Sequence, residues 1–170
     1  MTLRKTVKAS ESVPNPLDFT IRLGNSWDAE SLSRFWGPAR RFTQLRLLQR
    51  YFEEVERGVQ AVHVAEYEGR YVGQFWTRYS GIDPAIADGR SECYLHTLSV
   101  IKKYRRRGIA RALTEAASAE AQYRGRRTLV IGVDRPNAYA LSLYKKWGFK
   151  EFYQSSDLRG DLIFLRRQVF

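Results

Sequence analysis

A run of cations beside a glycine is the segment of this sequence whose chemistry is clearest. Gly108 and Ala110 lack bulky side chains, so a ligand could approach the backbone closely there. A strand, a turn of this kind and then a helix make an anion site, because the first helical amides lack acceptors and the helix dipole is positive at that end. The segment is therefore expected to bind a diphosphate, although a solvated basic turn is the alternative for an isolated hexapeptide. Six cations without an acid occupy ten residues here: Lys102, Lys103, Arg105, Arg106, Arg107 and Arg111.

A histidine in the strand before this turn could transfer protons. The pKa of an unperturbed histidine is about 6.5, which suits a base or a proton relay at neutral pH. Because side chains alternate along a strand, Cys93 and His96 are expected to point apart, which argues against a cysteine nucleophile. A half-buried histidine satisfied by backbone or water is the alternative. The same alternation predicts one face with Glu92, Tyr94, His96 and Leu98, of which Glu92 and Tyr94 could extend a water path, and another face with Cys93, Leu95, Thr97 and Ser99.

Hydrophobic periodicity, glycines and prolines predict the elements that position these groups. Their order is βααββ followed by βαβαββ, which indicates an α/β sandwich of helices around a mixed sheet. Strands are predicted at 19–23, 61–67, 71–79, 93–100, 128–133, 149–153 and 161–169. Helices are predicted from residue 27 to the Gly37-Pro38 break, over 41–57, over 108–124, and from Pro136-Asn137 to Gly148.

Composition limits the class of protein. The 170 residues predict a single domain over 17–170, preceded by a flexible segment over 1–16 that has neither the apolar core of a signal peptide nor that of a membrane anchor. Cys93 is the only cysteine, which excludes an internal disulfide and a cysteine-ligated zinc site and fits a reducing compartment. No apolar run approaches the roughly 20 residues that span a bilayer, so we expect a cytoplasmic protein without a membrane partner.

The net charge of +11 predicts attraction to polyanions such as phosphorylated cofactors, nucleic acid or acidic substrates. No Gly-Lys-Ser or Gly-Lys-Thr follows the basic turn, and no Gly-x-Gly-x-x-Gly fingerprint is present. ATP and nicotinamide cofactors are therefore poor candidates for the anion.

Two motifs resemble those of the GNAT superfamily of N-acetyltransferases. Leu98-Ser99-Val100, a four-residue gap and then Arg105-x-x-Gly108-x-Ala110 resemble its main coenzyme motif. Asn137-x-x-Ala140-x-x-Leu143-Tyr144-x-x-x-Gly148-Phe149 is similar to its other coenzyme-side motif. The match covers about residues 92–153, whereas the first ninety residues agree only in the order of elements.

The resemblance implies acetyl-coenzyme A as cosubstrate and a GNAT-like α/β/α sandwich. Its sheet would be mixed, mostly antiparallel and seven-stranded, splayed at the two central parallel strands. Main-chain groups of Leu98 and Val100 would pair with pantetheine, and the amides from Arg106 to Arg111 would hold the pyrophosphate. The coenzyme-binding residues implied are Leu98, Ser99, Val100, Arg105, Arg106, Arg107, Gly108, Ile109, Ala110, Arg111, Asn137, Ala140 and Tyr144.

The catalytic residues expected are Tyr144, His96 and Glu92, without a metal. In the family the tyrosine of the Leu-Tyr pair acts as general acid or as hydrogen-bond donor to the thiolate, and the alternative for Tyr144 is a core tyrosine with its hydroxyl at the rim. The string from Leu95 to Val100 resembles that of arylalkylamine N-acetyltransferases, in which the histidine belongs to a proton relay; ordered water is the alternative base. Asn137 is either a helix cap alone or a cap that also contacts coenzyme. A backbone amide near Leu98 could polarise the carbonyl.

The resemblance leaves the acetyl acceptor open. The first hypothesis is that the acceptor is a primary amine of a small molecule. The alternative is a protein N-terminus, a lysine or an aminoacyl-tRNA. An aminoacyl-tRNA is the only nucleic acid expected as a partner. A non-catalytic coenzyme A-binding module is a third reading, and a monomer or a homodimer is expected. Candidate acceptor-site residues, which could equally be core aromatics and solvated arginines, are Trp36, Arg40, Arg41, Phe42, Trp76, Tyr79 and Tyr153.

Overall fold

A seven-stranded sheet forms the centre of the protein. The computed structural model describes residues 18–157 and 160–169, so the segment expected to be flexible at 1–16 lies outside the described residues. The strands are β1 (Thr20–Leu23), β2 (Gln60–Tyr67), β3 (Arg70–Arg78), β4 (Glu92–Val100), β5 (Thr128–Asp134), β6 (Lys150–Asp157) and β7 (Gly160–Gln168). Their order in the sheet is β1-β2-β3-β4-β5-β7-β6, and the β4–β5 pair is parallel while the other pairs are antiparallel. The mixed, mostly antiparallel sheet expected from the sequence is thus confirmed.

Helices cover both faces of this sheet. They are α1 (Ala29–Ser33), α2 (Arg41–Glu56), α3 (Ile109–Tyr123) and α4 (Ala138–Lys146). Leu32 of α1 and Leu48 and Phe52 of α2 pack with Val62, Val64 and Trp76 on one face. Side chains of α3 and α4, including Leu113, Ala117 and Tyr144, pack with Phe75, Leu95 and Ile131 on the other. The sheet therefore lies between two apolar layers, as a sandwich requires.

The first predicted helix is divided into short pieces. Instead of one helix up to residue 36, α1 is flanked by 3₁₀ turns at Ser26–Asp28 and Arg34–Trp36. The hydroxyl of Ser33 donates to the carbonyl of Glu30 at 2.6 Å, so a side chain occupies an acceptor of the last turn. The predicted break at Gly37, whose φ is +78°, is present.

Strand β6 extends further than its apolar pattern predicted. Prediction ended it at 153, but it continues to Asp157 as the edge partner of β7. Gln154, Ser155 and Ser156 have no apolar alternation, and only their pairing with β7 makes them strand. No helix within the described ranges is long and apolar enough to span a membrane.

Strand β4 is irregular at the point where the sheet opens into a cleft. Thr97 has a φ of +55°, which is an outlier for a β-branched residue, and the register of β3 against β4 shifts between Gln74 and Trp76. The pairing of β4 with β5 runs only from Glu92↔Thr128 to Leu95↔Ile131. Beyond Leu95 the two strands diverge, and the second half of β4 loses its neighbour on that side.

The bulge also reverses the alternation predicted for β4. Cys93 and Leu95 lie in the core cluster on the α3 side, and Leu98 and Val100 pack against the same cluster. The prediction that Leu98 shares the face of His96 is therefore wrong, because the left-handed backbone at Thr97 shifts the side-chain parity by one residue. Cys93 and His96 do point apart, as predicted.

Candidate active site

A cleft of about 760 Å³ opens where β4 and β5 diverge. One wall is the second half of β4 together with the basic turn and the start of α3, and the other is the end of β5 with α4. The opening at the carboxyl ends of two parallel strands is a common position for ligands in α/β proteins. The cleft therefore joins the two motifs that are separated by about thirty residues in the sequence.

The basic turn presents backbone amides to one end of this cleft. Arg106 and Gly108 have φ values of +62° and +84°, and Gly108 caps α3 with no side-chain hydrogen bond. Ala112 is the first residue of α3 to donate back along the helix, to the carbonyl of Gly108 at 3.0 Å, so the preceding amides face outward. A Cβ built on Gly108 would meet no atom within 4 Å, so the space beside the turn is open. This arrangement suits the phosphates of a coenzyme.

Nearly all residues expected to bind coenzyme line the cleft. Arg105 is fixed there because its Nε donates to the carbonyl of Val100 at 2.9 Å. Arg107 does not line the cleft, since in a turn successive side chains leave in different directions. The predicted residues that do line it are Leu98, Ser99, Val100, Arg105, Arg106, Gly108, Ile109, Ala110, Arg111, Asn137, Ala140 and Tyr144.

Asn137 both caps α4 and lines the cleft. Its side-chain oxygen accepts a hydrogen bond from the amide of Ala140 at 3.1 Å, which satisfies one of the free donors of the first turn. The cap therefore shapes the cleft wall on this side.

Tyr144 of α4 lines the cleft. Its side chain is only 5% exposed and meets Trp147 and Phe149 edge to face, with centroid distances of 5.6 and 5.5 Å. Burial raises the pKa of Tyr144, and the electrostatic influence of Tyr94 raises it further. The phenol is therefore protonated over the whole neutral range, and it can donate a hydrogen bond or a proton.

His96 lies on the opposite wall, on the face of the sheet that α2 covers. Its ring is surrounded by the rings of Tyr51, Trp76 and Tyr94, at centroid distances of 5.8, 6.2 and 6.2 Å. Burial, with a smaller contribution from the positive charge of Arg78, lowers the pKa of His96 to about 4. The imidazole is therefore neutral at pH 7, and its lowered pKa makes it a weaker base than the unperturbed histidine expected from the sequence.

Hydrogen bonds hold the two ring nitrogens of His96. Nε2 lies 3.2 Å from Oε1 of Gln60, and Nδ1 lies 3.1 Å from the hydroxyl of Thr97. Thr97 lines the cleft with His96, whereas Gln60 is fully buried behind the ring. His96 is therefore half-buried with both ring nitrogens hydrogen-bonded, which is the alternative considered from the sequence. It also lines the cleft.

Glu92, by contrast, is not brought to the cleft. It begins β4, four residues before His96, and in a strand four residues span roughly 13 Å. Its carboxylate instead accepts a hydrogen bond from the amide of Asp88 at 3.2 Å. The structure therefore does not place Glu92 with His96 and Tyr144.

The hydroxyl of Tyr94 lies close to the backbone of a glycine on the neighbouring strand β5. A Cβ built on Gly132 of β5 would lie 3.0 Å from the hydroxyl of Tyr94 and 2.9 Å from the ring of Phe164. The absence of a side chain at Gly132 therefore leaves room for the phenol of Tyr94 beside β5. Sequence could place Tyr94 beside His96, but Gly132 and Gln60 carried no signal because their contacts join separate strands.

The proposed acceptor residues are divided between core and surface. Trp76 and Tyr79 are buried in the two cores, and Arg41 pairs with Glu30 at 2.6 Å. Phe42 and Tyr153 are exposed. Burial of the aromatics at 76 and 79 agrees with the reading of them as core, although Trp76 does form part of the ring enclosure around His96.

The family model named Acetyltransferase (GNAT) family matches residues 27–149. The chain belongs to this family. The match includes both walls of the cleft, so the structure and the family model agree on the part of the chain that carries the site.

Two individual acetyltransferases resemble the chain over about half of its length. Over 80 residues it is 36% identical to the ribosomal protein bS18-alanine N-acetyltransferase of Escherichia coli, covering 44% of this chain and 54% of that protein. Over 83 residues it is 31% identical to the mycothiol acetyltransferase of Saccharomonospora viridis, covering 49% of this chain and 27% of that protein. The chain thus spans about half of the first relative and about a quarter of the second.

A solved structure matches nearly the whole fold. The structure of an acetyltransferase from Salmonella typhimurium with its cofactor acetyl-CoA has a TM-score of 0.71 and 20% sequence identity, and the match covers 89% of this chain and 94% of that one. The likeness confirms the expected architecture.

Proposed function

We propose that this GNAT protein transfers an acetyl group from acetyl-CoA directly to a primary amine of a small molecule. The observation that supports the proposal is the content of one cleft. It has the amides of an α-helix at one end, an unpaired strand edge along one side, and Tyr144 and His96 on opposite walls. Holding a donor and two proton-transfer groups in one geometry is the main requirement of such a reaction.

The coenzyme would bind through the backbone and three arginines. The outward amides at the start of α3, with Arg105, Arg106 and Arg111, suit the phosphates. The edge of β4 after Leu95 has lost its β5 partner, and it can pair with the amides of a pantetheine arm as an added strand. Acetyl-CoA held in this way supplies the thioester.

The chemistry needs a proton donor and a proton acceptor on either side of that thioester. The amine nitrogen forms a bond to the acetyl carbon while the carbon–sulfur bond breaks. Tyr144 donates a hydrogen bond or its proton to the departing sulfur, and His96, neutral at pH 7, takes the proton that the amine loses. A covalent enzyme intermediate is unnecessary. Burial raises the pKa of Cys93 to about 12, and its thiol packs on the α3 side.

The ring enclosure around His96 favours a small acceptor. Tyr51, Trp76 and Tyr94 surround the base and leave a mainly aromatic surface for the group that carries the amine. The N-terminal amine of a protein is the second candidate, favoured by the identity to the E. coli protein that acetylates a ribosomal alanine. We expect the enzyme to act in the cytoplasm, since its one cysteine is a buried free thiol.

Calorimetry and a thiol-release assay test the proposal together. Acetyl-CoA should bind to the folded protein with measurable heat, and an amine panel of tyramine, spermidine, an alanyl peptide and alanyl-tRNA should identify at least one acceptor. Turnover confined to tyramine or spermidine supports the small-molecule assignment, and turnover confined to the peptide selects the second candidate. Coenzyme binding without thiol release across the panel would indicate a binding module, and absence of binding would contradict the whole assignment.

A further inference from the structure

A chain of polar side chains holds His96 from behind and continues towards the surface. Gln60, at the start of β2, lies between the histidine and α2. Its Oε1 is 3.2 Å from His96 Nε2, and its Nε2 donates to Glu54 at 2.7 Å. Glu54 in turn accepts a hydrogen bond from Arg78 at 2.5 Å. Gln60 is completely inaccessible to solvent, so water cannot replace either of its contacts.

The chemistry of these groups leaves one arrangement of protons. An ionised carboxylate only accepts, so the NH₂ group of Gln60 must face Glu54 and its oxygen must face His96. That oxygen also only accepts, so Nε2 of His96 must carry a hydrogen. In a neutral imidazole the other nitrogen is then bare. Nδ1 is therefore the acceptor, and the hydroxyl of Thr97, 3.1 Å away on the cleft side, can donate to it.

We propose that Gln60 is a positioning residue that fixes His96 as the Nε2–H tautomer and leaves Nδ1 unprotonated on the cleft side, where it takes the proton of the acceptor amine by way of the Thr97 hydroxyl. Glu54 contributes indirectly to the same positioning, because its carboxylate fixes the orientation of the Gln60 amide. This inference rests on the proposed role of His96 as base. The logic is that of a catalytic triad, in which a third group orients the base without touching the substrate.

An amide in this position keeps the imidazole neutral. The charged and titratable groups that face His96 are Arg78 from β3, Tyr94 from β4 and Tyr51 from α2, with Glu54 behind Gln60. Burial and, to a smaller extent, the positive charge of Arg78 lower the pKa of His96, and Gln60 contributes a dipole without a compensating negative charge. A carboxylate at position 60, with an amide in place of the Glu54 carboxylate, would stabilise the imidazolium and raise the pKa of His96.

The chain contains only two histidines, His63 and His96, which makes the tautomer directly measurable. In protein grown with ring-¹⁵N histidine, two-bond proton–nitrogen correlations distinguish a protonated from a bare ring nitrogen, and His96→Gln assigns the signals. We expect the His96 ring in the Nε2–H form in the native protein and a mixture of tautomers in Gln60→Met, which keeps the volume but loses the acceptor. A native Nδ1–H ring, or an unchanged ring in Gln60→Met, would overturn the proposal.

Kinetics with the amine that gives turnover provide the second readout. Gln60→Met should lower kcat in proportion to the histidine population that presents the wrong nitrogen, by about two- to tenfold, while the KM for acetyl-CoA stays constant. Gln60→Glu combined with Glu54→Gln, which leaves a single carboxylate in the chain behind the histidine, should raise the pKa of His96 and shift the acid limb of the kcat profile upward by about one pH unit or more. A uniform fall in activity with an unmoved pH profile in this double variant would indicate a merely structural role.

Thr77→Val is the matched control. Thr77 is also a buried polar residue of the sheet, on the strand next to β2, but it lies opposite Ala61 and not beside His96. It should leave the histidine signals and the pH profile unchanged, and thermal unfolding shows whether each variant is folded. A different result would show that His96 is not the base: His96→Gln would then turn over at the native rate, whichever tautomer the native protein has.

Discussion

The two residues proposed for proton transfer, Tyr144 and His96, have environments that move their pKa values in opposite directions, and burial is the main cause of both shifts. Burial disfavours the charged form of each group, so the phenol of Tyr144 keeps its proton and the imidazole of His96 stays without its second one. One residue is thereby held as a donor and the other as an acceptor at the same pH. Pairs of titratable groups separated in this way are typical of acid–base catalysis.

Replacing Tyr144 by phenylalanine should separate chemistry from binding. The change removes one hydroxyl from a side chain that otherwise packs between Trp147 and Phe149. We expect kcat to fall about 100-fold, as for loss of a general acid, with little change in acetyl-CoA affinity by calorimetry. Tyr123→Phe is the control, because that tyrosine is 88% exposed near the far end of α3. Unchanged turnover at saturating substrates would remove the catalytic role of Tyr144.

At the scale of elements, the decisive features are the turn before α3 and the separation of β4 from β5. The turn needs two left-handed positions, one on each side of Arg107, and one of them is a glycine. The separation follows from the bulge at Thr97 and from the exclusive pairing of late β5 with β7. The turn and the strand separation together place the N-terminus of α3 and the unpaired edge of β4 beside the same cleft.

Gly108→Ala should weaken coenzyme binding through the backbone. An alanine at a φ of +84° costs roughly 1–2 kcal/mol, and relief of that strain would turn the cradle amides away. We expect the Kd for acetyl-CoA to rise about tenfold, which corresponds to 1.4 kcal/mol. Gly125→Ala is the matched control, with a φ of +73° and open space around it but at the other end of α3. Equal loss of affinity in both variants would argue against a cradle at Gly108.

At the scale of the whole molecule, the stability of the fold should depend on two neutral histidines, the buried His63 and the half-buried His96. Burial lowers the pKa of both His63 and His96 to about 4, against about 6.5 in an unfolded chain. Between these values the unfolded chain binds more protons than the folded one, so stability decreases as the pH falls from 6.5 to 4. Asp28 and Asp88, whose pKa values are lowered, lose their contributions only at more acidic pH.

Acid sensitivity therefore provides a test by urea unfolding. From pH 7 to pH 5 the free energy of unfolding should fall by roughly 2 kcal/mol on account of His63 alone, with a further decrease from His96. His63→Phe should remove its share of the pH dependence, and His96→Gln should remove the other. An unfolding free energy that stays constant over this interval would contradict the burial of the two rings as neutral groups.

Sequence by itself determined most of the elements and most of the residues that line one wall of the cleft. Periodicity, helix caps and glycines are local signals, so α2, α3 and β2 to β5 lie close to their predicted bounds, and the contiguous segment from Leu98 to Arg111 could be assigned as one unit. The exceptions are β6, which its pairing with β7 extends to Asp157, and the first helix, where a serine hydroxyl bonds to the backbone.

Only the tertiary structure decided which residues meet across the cleft. The Gln60–His96 contact joins residues 36 apart, and Gly132 makes room for Tyr94 from a neighbouring strand, so neither leaves a pattern in the sequence. Glu92 was misplaced because a shared strand face says nothing about distance along the strand. Leu98 was assigned to the wrong face because a bulge at a β-branched residue has no local signature, and its cause lies in the pairing of β4 with β3.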